Sequence, residues 1–216
     1  MVLNDSQQAK LFDRWADRYD ERVRSSVGFP FAGYEATLDR VADLATAGPG
    51  SRVLDVGIGT GNLARRFVVL GCQVWGVDIS SKMLAFARAK LPTVRLVRGD
   101  ITGEWPSELL GRFDSIVSAY VFHHFDLSEK INLLVRLLQD RCTPGGRIVL
   151  GDVSVPTATA LDDVRREWGR QMDEEEHYWI ADEAIAACKQ CGIRTSYEQV
   201  SAFAGVFVFE ADCLEA

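Results

Sequence analysis

This sequence lacks the features typical of membrane, secreted and nucleic-acid-binding proteins. No apolar run approaches the roughly 18 residues that a membrane span needs, and the opening MVLNDSQQAK lacks the apolar core of a secretory signal. Basic residues never form a stretch long enough to follow a phosphate backbone, and the formal net charge is −7. The sequence therefore predicts a cytoplasmic protein that acts on neither membranes nor nucleic acid.

Cysteine is scarce and irregularly placed. The five cysteines stand at positions 72, 142, 188, 191 and 213, a distribution that favours reduced thiols over a disulfide framework. Cys188 and Cys191 form one C-x-x-C on a predicted helix from about Ala181 to Cys191, but a structural zinc site needs four ligands and no second pair exists. We expect no metal site from the sequence.

What the chain does have is a glycine-rich turn between an apolar run and an amphipathic helix. Residues 53–64 read VLDVGIGTGNLA, with glycine at positions 57, 59 and 61. Glycine permits backbone dihedrals that other residues avoid and lets a ligand approach bare peptide. The dinucleotide pattern G-x-G-x-x-G/A fits this turn literally. The carboxylate of Asp55, however, would repel a pyrophosphate and attract an ammonium group.

The next two predicted strands also end in aspartate. Gln73–Asp78 (QVWGVD) is an apolar strand whose terminal carboxylate can accept hydrogen bonds from ribose hydroxyls, and Val94–Ile101 (VRLVRGDI) runs into Asp100. Aspartate is also a common turn and N-cap residue, so each occurrence alone is weak. Three in succession behind a glycine-rich turn favour one shared ligand site.

The rest of the chain alternates strands and helices. The pattern predicts a strand at Phe113–Ala119, a helix at Asp126–Arg141, a break at Thr143–Gly146, a strand at Arg147–Val153 and an antiparallel hairpin of Thr195–Ser201 with Gly205–Ala211. Such alternation indicates a mostly parallel sheet with helices on both faces and a ligand at the carboxyl ends of the strands. At 216 residues, one domain can bury about 70% of its unfolded surface.

Asp55-Val56-Gly57-Ile58-Gly59-Thr60-Gly61 resembles the first motif of the class I S-adenosylmethionine-dependent methyltransferases, acidic-x-Gly-x-Gly-x-Gly. The resemblance, of the bacterial small-molecule type, covers about residues 8–212. It implies an α/β Rossmann-like three-layer sandwich with a seven-stranded, mostly parallel sheet and a C-terminal antiparallel hairpin, whose last strand is inserted between the fourth and fifth. It also implies a single domain over residues 1–216, with an N-terminal helical cap at 1–30 and a candidate substrate-cap insertion at 156–180.

The same resemblance implies that the cosubstrate is S-adenosyl-L-methionine, released as S-adenosyl-L-homocysteine. The turn and Asp55 would then meet its methionyl group, Asp78 its ribose and Asp100 its adenine amino group. The full set of cofactor-binding residues expected on this basis is Tyr19, Asp55, Gly57, Gly59, Gly61, Asp78, Ile79, Asp100, Ile101 and Ser118.

Two segments are candidates for the acceptor pocket. Ala9–Val23 carries an apolar face at helical spacing (Leu11, Phe12, Trp15, Tyr19 and Val23), most of which we assign to packing. Tyr19 belongs to a W-A-x-x-Y-D pattern that, by the family resemblance, lies over the cosubstrate. The segment Pro156–Ile180 has an aromatic load that suits a cap over a sulfonium or simple hydrophobic docking (Trp168, Met172, His177, Tyr178 and Trp179).

His123 and His124 follow the fourth strand in AYVFHHF and are the candidate catalytic residues. One imidazole could accept a proton from the acceptor, although a histidine pair also suits a loop that caps the next helix. We expect in-line methyl transfer to a small neutral or cationic acceptor, by a monomer or homodimer. The alternatives are an NAD(P)-binding Rossmann oxidoreductase, whose second mononucleotide-binding half is not apparent, and a non-catalytic S-adenosylmethionine-binding module.

Overall fold

The computed structural model describes residues 13–14, 16–25, 28–173 and 175–211. Their helices are α1 Tyr19–Ser25, α2 Tyr34–Leu44, α3 Ala64–Val69, α4 Ser81–Lys90, α5 Leu127–Arg141, α6 Ala158–Trp168 and α7 Ala181–Gln190. Their strands are β1 Arg52–Val56, β2 Gln73–Asp78, β3 Arg95–Arg98, β4 Phe113–Ala119, β5 Cys142–Val155, β6 Trp179–Ile180, β7 Ile193–Gln199 and β8 Ala204–Ala211. Two short 3-10 turns span Ser107–Leu109 and Phe122–His124.

The strands form one mixed sheet in the order β3-β2-β1-β4-β5-β8-β7, with β6 paired to the end of β5. Strands β1 to β5 are mutually parallel, whereas β8 runs antiparallel to both β5 and β7. The predicted α/β sandwich with a terminal antiparallel hairpin is therefore confirmed. Strands β3 and β7 are the two edges of the sheet.

The expected place of the last strand was wrong. Strands β4 and β5 pair directly, from Ser115 opposite Arg147 to Ala119 opposite Gly151, so nothing is inserted between them. Strand β8 instead lies on the other side of β5, from Ile148 opposite Phe209 onward. The parallel ladder already uses the backbone groups of β5 that face β4, which leaves only the outer edge of β5 for a new partner.

Helices cover both faces of the sheet, which explains why its central strands are apolar throughout. In β1, Leu54 packs with side chains of α5 and α7, whereas its neighbour Val53 packs with α2, α3 and α4 on the opposite face. Both side chains are completely buried. This double cover fixes the carboxyl ends of β1, β2 and β4 relative to one another.

The connection from α5 to β5 differs from the predicted break. Helix α5 begins with a capping box in which Asp126 and Glu129 bond each other's backbone N–H groups, and it ends at Arg141 as expected. Strand β5, however, begins at once and pairs Cys142 with Phe113 before the register shifts between Phe113 and Ser115. The Pro-Gly-Gly turn is therefore a bulge within β5, which glycine permits at Gly145 with φ of 79°.

The N-terminal segment also departs from prediction, because it is not one continuous helix. Residues 16–18 form a turn, and α1 begins only at Tyr19. Asp13, before the turn, accepts a hydrogen bond from Ser80, and Asp17, within the turn, accepts one from Lys82 at the start of α4. These contacts set the local path of the chain. Leu11, Phe12 and Trp15 lie outside the described residues, and Val23 is buried as predicted.

The segment 156–180 contains α6 and the two-residue strand β6. Trp179 of β6 is buried opposite Ser154 of β5, so the end of this segment is part of the fold. Across the described ranges, every helix is too short or too polar to cross a membrane.

Candidate active site

A cleft of about 670 Å³ opens at the carboxyl ends of β1, β2 and β4. One wall is formed by the glycine-rich turn and the residues after β2 and β3, and the other by the 3-10 turn that follows β4. Residues of α1 and of the segment 171–176 complete the enclosure. Of the predicted site residues, the cleft is lined by Tyr19, Gly57, Gly59, Asp78, Ile79, Asp100, Ile101, His123 and His124.

The three glycines of the turn have different tasks, although all have positive φ. A Cβ on Gly57 would lie 2.4 Å from Val121, and one on Gly61 would lie 2.7 Å from Leu91, so both are required by internal packing. A Cβ on Gly59 would meet nothing closer than 4.0 Å. Gly59 is therefore the glycine whose peptide is bare toward the open cleft, whereas Gly61 does not line it.

Asp78 connects the end of β2 to this turn. Its Oδ2 accepts a hydrogen bond from the backbone N–H of Gly59 at 2.8 Å, and its Oδ1 accepts one from Ser80 at 2.8 Å. Burial raises the pKa of Asp78 to about 6, and these backbone donors offset part of that effect. The carboxylate faces the cleft with lone pairs beyond those two bonds.

Asp55, unlike Asp78, does not face the cleft. Its side chain is 1% exposed, it does not line the cleft, and its Oδ2 has no hydrogen-bond partner among the residues that the structure describes. Burial and then the charge of Asp78 raise the pKa of Asp55 to about 8. Ser118 is also buried away from the cleft and donates its hydroxyl to the carbonyl of Val56 at 2.6 Å.

Three further residues that the sequence predicts to bind the cofactor lie together. Asp100, Ile79 and Ile101 all line the cleft, on the connections that follow β2 and β3. Asp100 Oδ1 accepts hydrogen bonds from the backbone and the hydroxyl of Thr102, each at 2.9 Å. This arrangement leaves the half-buried carboxylate at the cleft surface, flanked by apolar side chains.

Asp20 holds the N-terminal segment against the glycine-rich turn. Asp20 accepts hydrogen bonds from the hydroxyl of Thr60 at 2.6 Å and the amide of Asn62 at 3.1 Å, and it pairs with Lys90. The neighbouring Tyr19 lines the cleft, and burial raises its pKa well above the usual value. These contacts tie α1 to the glycine-rich turn.

A buried Asp–His pair occupies the opposite end of the cleft. Asp152 Oδ1 lies 2.6 Å from Nδ1 of His123, and Oδ2 accepts the backbone N–H of His123 at 2.9 Å. The indole N–H of Trp179 also donates to Oδ2, at 3.2 Å. Burial alone would lower the pKa of His123, but Asp152 and then Glu176 outweigh it and raise that pKa.

Glu176 and His124 complete this end. Glu176 Oε1 lies 3.6 Å from Nε2 of His123, and the ring centroids of the two histidines are 4.2 Å apart. Burial and the neighbouring His123 lower the pKa of His124 to about 3, which keeps its imidazole neutral. The His123–His124 pair therefore lines the cleft rather than capping α5, whose cap is Asp126.

Comparisons with known proteins agree with this geometry. A family model described as "Methyltransferase domain" matches residues 53–146. An uncharacterized methyltransferase of Alkaliphilus oremlandii is 32% identical over 180 residues, which cover 82% of this chain and 80% of the relative. One from Geobacillus kaustophilus is 33% identical over 216 residues, covering 93% of this chain and 94% of the relative. This chain belongs to the class I S-adenosylmethionine-dependent methyltransferases.

Solved methyltransferase structures share the fold. The magnesium protoporphyrin IX methyltransferase from Synechocystis, crystallised with bound S-adenosylhomocysteine, superposes with a TM-score of 0.73 at 18% identity, covering 94% of this chain and 99% of that one. Membership of this methyltransferase family sets aside the oxidoreductase alternative.

Three features in or directly behind the cleft of this methyltransferase were not predicted from the sequence. Asp152 is an acid within the otherwise apolar run of β5, and a buried charge at such a position is a usable signal. Glu176 stands in an acidic stretch that reads as solvated surface, and only the fold brings it to His123. Arg14, Arg18 and Arg22 line the cleft from the N-terminal segment at a spacing of four residues.

Proposed function

We propose that this protein transfers the methyl group of S-adenosylmethionine to a small-molecule acceptor. The observation that carries the proposal is the continuity of one cleft, which runs from the bare peptide of Gly59 and the carboxylates of Asp78 and Asp100 to the His123–Asp152 pair. A cosubstrate at one end and an acceptor at the other would share this space. Alignment of the two reactants is the main catalytic requirement of such a transfer.

The residues on the strand side fit this cosubstrate. When bound, S-adenosylmethionine supplies an electrophilic methyl group on a sulfonium. Asp78 has unused lone pairs for ribose hydroxyls, and Asp100 sits among apolar side chains suited to a purine. Asp55 would act from behind the turn, where its unpaired oxygen could accept a hydrogen bond from a neighbouring ammonium. Tyr19, Ile79, Ile101, Gly57 and Gly59 would line the site, whereas Gly61 and Ser118 would support it from within the fold.

The enclosure of the cleft supports a small acceptor. The N-terminal cap at 1–30 and the substrate-cap segment at 156–180 both contribute lining residues, so a bulky macromolecular acceptor would collide with them. The arginines at 14, 18 and 22 would suit an acceptor with an anionic group, which extends the neutral or cationic class predicted from composition. Cytoplasmic location, and a monomeric or homodimeric state, remain predictions.

Calorimetric titration and a turnover screen test the proposal. We expect S-adenosylhomocysteine to bind in the micromolar range or tighter and NADH not to bind. In the screen, the protein is given S-adenosylmethionine with pools of anionic, neutral and cationic metabolites. We expect at least one pool to support the formation of S-adenosylhomocysteine. Binding without turnover would favour the non-catalytic module, and methylation of RNA or protein alone would contradict the small-molecule acceptor.

A further inference from the structure

We propose that His123, His124 and Glu176 form a binding site for a divalent transition metal ion at the acceptor end of the cleft. Each residue offers one ligand atom, and these atoms all lie within 4.8 Å of one another. All three side chains line the cleft, so an ion can reach them from solvent. The site revises the expectation that the protein has no metal centre.

The distance between His123 and Glu176 suits an ion bound between them better than a direct hydrogen bond. Nε2 of His123 and Oε1 of Glu176 are 3.6 Å apart, which is too long for a good N–H···O hydrogen bond. Two ligands that each lie about 2.1 Å from one tetrahedral ion are separated by about 3.4 Å. This pair is therefore close to ligand spacing already. The ligand atom of His124 lies within 4.8 Å of both, a distance that a side-chain rotation would have to shorten on metal binding.

Asp152 supplies the outer contact that metal-binding histidines usually have. Its bond to Nδ1 of His123 leaves Nε2 as the atom directed at Glu176. A carboxylate in this position fixes the ring and strengthens the imidazole as a ligand. Asp152 is itself held by Trp179 and by the backbone N–H of Val153, so the orientation is built into β5 and β6.

The charges around the site favour a cation. Glu176, Asp152 and the cleft-lining Asp173 are acidic. An opposing charge, Lys130, lines the adjacent cavity, bonds the carbonyl of His177 and lies 4.4 Å from the centre of the Trp179 ring. Two imidazoles and one carboxylate suit Zn²⁺, Co²⁺, Mn²⁺ or Fe²⁺, whereas Mg²⁺ and Ca²⁺ prefer oxygen ligands.

The site would define the acceptor class, a step that rests on the proposed function. Three protein ligands leave coordination positions open for an acceptor thiol or hydroxyl. Coordination lowers the pKa of that group, so its proton passes to water. The heteroatom then forms the new bond to the methyl carbon as the bond from sulfur to that carbon breaks, and S-adenosylhomocysteine leaves.

Metal titration of the chelator-treated, full-length protein tests the site. We expect one equivalent of Zn²⁺ by calorimetry, and one of Co²⁺ with the visible absorption of a protein-bound ion. Glu176→Gln and His124→Ala should weaken Zn²⁺ binding at least about 100-fold, beyond the 10- to 100-fold typical of outer-shell changes. His177→Ala is the matched control, because it removes the chain's third histidine, which is exposed, and should change nothing.

S-adenosylhomocysteine binding by the same variants separates the possible failures. Unchanged binding shows that a variant is folded, so its loss of metal can be assigned to the ligands. A wild-type protein that takes up no Zn²⁺ or Co²⁺, or variants that bind them as the wild type does, would overturn the metal site. Failure of the wild type to bind S-adenosylhomocysteine would instead overturn the proposed function and leave the metal result standing.

Discussion

Asp152 contacts His123 at two points, through the ring at Nδ1 and through the backbone N–H, with one carboxylate oxygen for each. The strand that carries Asp152 and the turn that carries His123 are therefore joined as a rigid unit. Because both residues are buried, this pairing is insulated from solvent and sets the direction of Nε2 into the cleft.

Asp152→Asn should disturb the orientation of the His123 ring without affecting cosubstrate binding. An amide in place of the carboxylate loses the charge that favours the observed ring orientation, so we expect acceptor turnover to fall about 10- to 100-fold. S-adenosylhomocysteine affinity should not change, since Asp152 does not line the cleft. Asp140→Asn, on the exposed surface of α5, is the control for kcat and affinity. Equal losses of turnover and affinity in Asp152→Asn would contradict a positioning role.

Gly59→Val should give a folded protein that does not bind S-adenosylhomocysteine. The new side chain has open space around its Cβ but would enter the cleft, and its positive φ costs about 1 to 2 kcal/mol of stability. Gly192→Val is the matched control, because Gly192 also has a positive φ, of 68°, and a Cβ there meets nothing within 4 Å. Calorimetry with thermal unfolding checks both; retained binding in Gly59→Val would place the ligand elsewhere.

Asp78→Ala should weaken S-adenosylhomocysteine binding by about 1 to 3 kcal/mol, the loss expected when hydrogen bonds to a charged acceptor disappear. The substitution also removes the acceptor for the Gly59 N–H, so part of the effect comes from a looser turn. Asp39→Ala, at an exposed ion pair with Arg66, serves as the comparison. An affinity equal to that of wild type would exclude Asp78 from the site.

Because Asp55 is buried, we predict that the stability of the protein falls as pH rises. Folding raises its pKa to about 8, from about 4 in the unfolded chain, so between these values the folded state binds more protons. The free energy of unfolding should therefore fall as pH rises through this window. Asp55→Asn should remove this loss. The free energy of unfolding of the variant minus that of wild type should therefore be about 1 to 3 kcal/mol larger at pH 8 than at pH 5.

Denaturant unfolding at the two pH values measures the effect of Asp55→Asn. Asp43→Asn, at an exposed position on α2, controls for the general effect of removing a carboxylate. Parallel pH profiles for wild type and Asp55→Asn would show that Asp55 does not carry the shift.

Asp20→Asn should loosen the N-terminal segment. Asp20 is the shared acceptor for Thr60 and Asn62 and the partner of Lys90, so we expect faster amide hydrogen exchange over residues 16–25 and faster dissociation of S-adenosylhomocysteine. Global stability should change by about 1 kcal/mol. Glu198→Gln, which removes an exposed partner of Arg40, provides the control. Unaltered exchange would show that other contacts hold the segment.

The strand side of the cleft was predictable because it is local in sequence. Asp78 ends β2 and Asp100 stands two residues after β3, and the topology alone brings the ends of these parallel strands together. Strands β2 and β4 also have the predicted bounds.

The acceptor side was not predictable from local pattern. The contact of His123 with Glu176 joins residues more than fifty positions apart, and Asp152 reaches His123 only because β4 and β5 are neighbours. The position of β8 depends on which edge of β5 is open, a property of the assembled sheet. Long-range pairing of polar side chains leaves little trace in hydrophobic periodicity.

The two edges of the sheet bear on how copies of this protein can meet. Edge strand β3 presents Arg95 and Arg98, and edge strand β7 carries Arg194 and Glu198 at exposed positions. Charged side chains along an open edge discourage backbone pairing with another chain. Growth of the sheet into intermolecular ribbons, and the aggregation that follows from it, is therefore disfavoured at both ends.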